Sequence, residues 1–141
     1  MTTEQIDQGL AVSEIQGELR DLLCLAVVGD HVRWVLTGDE TAELADWLTD
    51  AVARWRALAD LVAKHLVTLR VAPDGRVRSL AEDIPLNWVP DGWLRPDEAR
   101  RLVTDRLHGV AGRARYRRSQ TADPDTWQLL DAVCSGLERS P

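Results

Sequence analysis

The sequence predicts an α+β fold: a small antiparallel sheet packed against one long helix, followed by two C-terminal helices. Three observations carry that expectation. Nine apolar residues within 39–66 recur at steps of three and four, the period of a one-sided helix. Residues 31–36 and 67–80 instead alternate apolar and polar side chains, the period of a strand. Pro73-Asp74-Gly75 falls inside the second alternating run, where a preset φ, an Asx turn and a φ > 0 position would reverse the chain.

Taken in order, Ser13-Glu14-Ile15-Gln16 fits a capping box. Ile15, Leu19, Leu22, Leu23 and Ala26 follow at helical spacing, so 13–27 reads as an amphipathic helix. Its end has a second reading. LCLAVV and HVRWVL flank Gly29-Asp30, and two strands joined by a tight turn would begin near Leu22. In His31–Leu36, Val32, Trp34 and Leu36 share one face, which predicts a strand over 31–36. Thr37-Gly38-Asp39-Glu40 ends it.

The long helix over 39–66 presents Leu44, Leu48, Ala51, Val52, Trp55, Leu58, Ala59, Val62 and Leu66 on one side, with Trp47 beside them. At 1.5 Å per residue it would span about 42 Å. Asp50 with Arg54, and Asp60 with Lys64, add acid-before-base pairs one turn apart. Val67, Leu69 and Val71, then Val77 and Ser79, predict the hairpin over 67–80. Pro85, Pro90 and Gly92 make AEDIPLNWVPDGWL irregular. Pro96-Asp97-Glu98 opens a helix over 96–116, with Gly109 and Gly112 weakening its second half. Asp123-Pro124-Asp125 caps the last, over 124–138, where Trp127, Leu130, Cys134 and Leu137 step by three and four. No repeat or linker interrupts the chain, so a single globular domain over 1–141 with short flexible termini is expected.

Composition narrows the class. The 141 residues are 45% hydrophobic and 28% charged, which excludes collagen, a disordered tail and a disulfide-stapled peptide. No apolar run approaches the roughly 18–20 residues of a membrane helix. The polar, acidic MTTEQIDQGL has no secretory character, and a cytoplasmic location is expected. Cys24 and Cys134 lie among apolar residues without a CxxC pattern, as buried thiols do. All but one of the 17 basic residues are Arg, a bias of high-GC bacterial genes.

Reaction motifs are missing. Lys64 is the single lysine and no GxxxxGK[ST] surrounds it. No GxGxxG, GxSxG or HExxH occurs, and His31, His65 and His108 are isolated in sequence. Glu82-Asp83 is the one adjacent acid pair in a loop, and neighbours in sequence rarely converge on one substrate atom. These absences predict no enzyme, no cofactor and no metal. A small enzyme with a dispersed site is the third alternative.

Two binding features stand out instead. Trp88, Trp93 and Leu94 sit in the irregular segment, where an exposed indole would anchor a protein partner and an inward one would plug the core. Arg113, Arg115, Arg117 and Arg118 cluster around Tyr116 at a helix end. Such a cationic helix end suits phosphates, a partner protein, or simply its own helix dipole. The charge is unevenly spread: residues 1–60 hold 12 acids and 4 bases (−8), and residues 61–141 hold 11 and 13 (+2). The order of long helix, VTLRVAPDGRVRSL hairpin and RPDEARRLV helix over Asp39–Arg118 resembles the small YbaB-type nucleoid-associated proteins. That resemblance implies a nucleic-acid-associated dimer, the alternative function. The favoured expectation is a non-enzymatic protein-binding module, an adaptor, immunity or accessory regulatory protein, acting as a homodimer without any membrane partner.

Overall fold

In the computed structural model, which describes residues 10–76, 79–80 and 91–139, the chain is helical throughout its regular parts. α1 runs Val12–Val35, α2 Ala42–Thr68, α3 Pro96–Gln120 and α4 Pro124–Gly136. No strand occurs among the described residues; Leu36 and Leu94 form an isolated parallel bridge. The expected α+β sheet is therefore replaced by a four-helix bundle.

The strand expected over 31–36 is the last stretch of α1. Its apparent alternation does not partition the side chains, since Val32 is buried while Trp34 is 65% exposed. The stripe that counts is Ile15, Leu19, Leu22, Ala26, Gly29 and Val32, all buried and all at helical spacing. Gly29 hid it by looking like a turn residue. A Cβ there would lie 2.6 Å from Val52 Cγ2 and 2.9 Å from Trp55 Cζ3, so glycine is what brings α1 close against α2.

The expected hairpin over 67–80 also fails, and the end of α2 shows why. Leu66 is buried, Val67 is exposed, and the helix stops one residue later at Thr68. Arg70 adopts φ 61°, its N–H donates to Val67 O, and Val71 N–H donates to Leu66 O. These are the paired bonds of a Schellman motif, with Arg in the place glycine usually takes. The Asx turn does form, since Arg76 N–H donates to Asp74 Oδ1 at 3.2 Å. It turns a connecting segment instead of joining two strands. Residues 77 and 78, part of the expected second strand, lie outside the described residues. With the hairpin gone, the YbaB-type resemblance loses the element that carried it.

Topology follows from the helix ends. Leu94 N–H donates to Val35 O, and Thr37 N–H donates to Leu94 O, so α1 ends where α3 begins. α2 starts six residues after Leu36 and runs back beside α1, so its C-terminus lies at the far end. Leu69 and Arg95 therefore lie at opposite ends of about 40 Å of bundle. α3 leads through Thr121–Asp123 into α4, which starts with Pro124 in its first turn and Asp123 Oδ2 accepting Thr126 N–H at 2.9 Å. α1 packs on α2 and α3, and α4 on α2 and α3. Two antiparallel helix pairs joined by one long crossover enclose a core centred on fully buried Trp55, which Trp47 meets edge-on at 6.0 Å.

Candidate functional site

The outer side of the α1–α2 pair carries exposed apolar side chains. The α1 stripe that includes Leu23 continues to Val27 and Trp34, both exposed, and α2 adds exposed Leu61. Beside Leu23, between the two helices, runs an open groove of about 560 Å³. Leu19, Leu23, Ala59 and Ala63 line it, with Arg56 and Asp60 also on its wall. Gln16 closes one end by holding the 72–74 segment with both amide atoms, Nε2 to Ala72 O at 2.8 Å and Oε1 from Asp74 N–H at 3.0 Å. Asp30 clamps the two helices on this face, accepting from Arg33 at 3.0 Å and Arg56 at 2.9 Å. Burial pushes the Asp30 carboxyl up, but the two guanidinium hydrogen bonds outweigh it and hold the group below its ordinary range.

A charged seam joins α1 to α3. Arg117, on the predicted cationic helix end, is buried, and its guanidinium donates to Glu14 at 2.9 Å, Glu18 at 3.0 Å and Asp21 at 2.8 Å. Arg113 shares Asp21 at 2.8 Å. Arg117 NH2 lies 2.8 Å from where a Gly17 Cβ would stand, so the absent side chain leaves it room. Burial alone would weaken the guanidinium's hold on its proton; the surrounding carboxylates reverse that and raise its pKa. Arg118 pairs with Asp131 at 2.7 Å and lies over the Trp127 ring. Three of the four arginines of the expected nucleic-acid cluster are thus engaged within the chain, and Arg115 stays exposed. Sequence reasoning missed the seam, although Glu14, Glu18 and Asp21 share one side of α1 and Arg113 and Arg117 are one turn apart on α3.

The other expected contact residues separate. Trp93 is 72% exposed, whereas its neighbour Leu94 is buried in the core and carries the backbone bridge to α1. Trp88 lies outside the described residues. Trp34 and Trp127, which the sequence sets in line with apolar neighbours, are exposed. Of the histidines, His65 Nε2 meets Thr126 Oγ1 at 2.8 Å, and Thr126 in turn donates to Asp123 Oδ2 at 3.0 Å. Because the hydroxyl proton goes to Asp123, His65 must be the donor, and the chain Asp123–Thr126–His65 ties the start of α4 to the end of α2. Thr126 is fully buried, which makes this a lock and not a nucleophile.

The class of fold these helices define is the ferritin-like four-helix bundle with one long crossover. Among solved structures, the chain is similar to Dps92 of Deinococcus radiodurans, with TM-score 0.85 and 22% identity over 97% of this chain and 81% of that one. Dps of Microbacterium arborescens in a high iron form matches with TM-score 0.85 and 16% identity over 97% and 87%. A Dps protein of Vibrio cholerae O1, a member of a broad superfamily of ferritin-like diiron-carboxylate proteins, matches with TM-score 0.75 and 16% identity over 97% and 86%. No family model matches the sequence, and no curated protein matches it. These likenesses overturn the expectation of a non-enzymatic adaptor, immunity or regulatory module, and with it the expectation that the protein is no enzyme. The shared fold is that of Dps and diiron-carboxylate proteins, not of a small α+β interaction domain.

A diiron centre within such a bundle draws a Glu from each of two helices and a Glu-x-x-His from each of the other two, all pointing inward. The sequence contains no Glu-x-x-His. Glu18 is the one buried acid among the described residues, and its Oε1 is held by Arg117. Among the described residues no group of three His, Cys, Asp or Glu side chains is placed to hold a metal. The side chains described do not fit a diiron centre enclosed by one chain. No described helix is long and apolar enough to cross a membrane.

Proposed function

We propose that the protein is a self-assembling subunit of the Dps kind, built to pack against copies of itself through the outer α1–α2 face and to carry iron as cargo of the assembled particle. The observation that carries this reading is the pair of exposed apolar side chains Val27 and Trp34, in line with groove-lining Leu23 on α1, on a chain that shares the Dps fold over 97% of its length. An exposed apolar stripe that borders a groove marks an interface more often than a solvated surface. Iron enters the reading from the high iron form of the Microbacterium protein. Its support within this chain comes from carboxylates on exposed positions, among them Glu43, Asp46, Asp50 and Asp60 of α2, since the one buried acid among the described residues, Glu18, is held by Arg117.

The test is light scattering of the purified full chain, alone and as Trp34→Asp, followed by anaerobic ferrous loading, admission of oxygen and iron analysis of the gel-filtered particle. A discrete multi-subunit particle that Trp34→Asp dissociates, and that retains iron through gel filtration, supports the proposal. A monomer at all concentrations overturns the assembly, and an iron-free particle overturns the cargo.

A further inference from the structure

We infer that the α1–α3 seam is a proton-linked lock, in which closing the bundle takes up one proton at Glu18. The geometry sets up the need for it. Glu18 is fully buried on α1; its Oε1 accepts from Arg117 Nη1 at 3.0 Å, and its Oε2 has no hydrogen-bond partner among the described residues. The same guanidinium also serves Glu14 and Asp21, and Arg113 serves Asp21 a second time. Three carboxylates therefore share two guanidiniums; Glu14 and Asp21 keep contact with water, and Glu18 alone is fully buried with one oxygen unpaired. A buried uncompensated charge is costly enough that the group neutralises instead.

Among the described residues the nearby cations are engaged or in solvent: around the Cys134 thiol, which Glu18 also influences, Arg118 is paired with Asp131 and Arg115 is exposed. From α3 the facing groups are Arg113 and Arg117, both already engaged. From α4 the Cys134 thiol lies close enough to sense Glu18, and burial pushes that thiol up, so it stays protonated and supplies no cation. On α2 the groove sets Leu19 near Ala59 and Ala63, which places Asp60, Lys64 and His65 at this level of the bundle. Asp60 and Lys64 are exposed, and His65 Nε2 is held on Thr126. On α1 itself, Asp21 adds repulsion. Burial accordingly raises the Glu18 carboxyl from 4.5 to about 7, despite the opposing pull of Arg117.

The sign follows directly. A carboxyl whose folded pKa is raised contributes stability that is fully present below its unfolded pKa and is lost as pH climbs to the folded value. The window is therefore about pH 4.5 to 7, and the 2.5-unit span between the two values corresponds to a proton affinity about 300-fold higher in the closed bundle. The seam holds tighter in mildly acidic solution and loosens toward alkaline.

Thermal unfolding of the full chain from pH 5 to pH 8, for wild type and Glu18→Gln, reads the lock. The expected result is a melting temperature that falls with rising pH in wild type, with that part of the slope abolished in the variant. Infrared difference spectra at pH 6, with glutamate carboxyls isotopically labelled, should show a protonated carboxylic-acid stretch in wild type. An unchanged pH slope in a folded Glu18→Gln protein overturns the proposal. If that variant does not fold, the infrared spectrum of wild type decides, and the absence of a protonated glutamate at pH 6 overturns it.

Discussion

Replacing Arg117 by Met keeps the aliphatic stem and deletes the charge that three carboxylates share. Removing one partner of a buried ion pair costs about 3–5 kcal/mol, mostly because the other partner is left buried and unpaired. The structure points to the lower end of that range. Glu14 is about half-exposed and Asp21 partly so, so both can regain water, while Glu18 can shed its charge by binding a proton. The expected loss is about 3 kcal/mol, or about 10 °C in melting temperature for a chain of this size. Deleting Arg117 also removes the interactions that hold the Glu18 pKa down, so the loss should be larger at pH 8 than at pH 6. The assay is circular-dichroism melting at one fixed protein concentration at both pH values, with exposed Arg115→Met as control. Adding Glu18→Gln to Arg117→Met should recover part of the loss. An Arg117→Met protein that melts within about 1 °C of the control at both pH values would refute the account of the seam.

Two further perturbations test how the helices are held. Gly29→Ala should destabilise by about 1–3 kcal/mol through overpacking, because its Cβ meets Val52 and Trp55 inside contact distance; a denaturant melt showing no loss would mean the helices separate freely there. Thr126→Val removes the hydroxyl between Asp123 and His65 while keeping its shape, leaving the His65 donor without its partner. A loss of about 1–2 kcal/mol is expected, with hydrogen exchange accelerating at the start of α4; unchanged exchange there would show that the lock carries no load.

The helices rich in steps of three and four were legible in the sequence. The expected 39–66, 96–116 and 124–138 correspond to Ala42–Thr68, Pro96–Gln120 and Pro124–Gly136. What failed were the short runs of period two. His31–Leu36 spans fewer than two helical turns, and over that length alternation and helical spacing overlap, with Val32 satisfying both. At 67–80, Val67 and Leu69 alternate only because one ends on the exposed side of α2 and the other caps it. Gly29-Asp30 misled for a chemical reason: glycine serves both as a turn and as a close-approach residue, and only the neighbouring helix tells which. Of the binding candidates, the arginine cluster was visible but not its direction. A guanidinium's long stem allows Arg117 to reach inward while Arg115, two residues away, faces water.

The uneven charge of the chain acquires a meaning from the seam. The acids of α1 belong to one helical hairpin and the arginines of α3 to the other, so the two halves carry complementary faces before they meet. Charge of this kind draws the halves together during folding and does so less in concentrated salt. It does not, however, recognise its own chain. The α3–α4 half of one molecule presents the same arginines to a neighbour's α1 as to its own, and the tether from Leu69 to Arg95 gives the intramolecular partner its advantage through local concentration alone. At high protein concentration the fold therefore carries a route to hairpin exchange between copies.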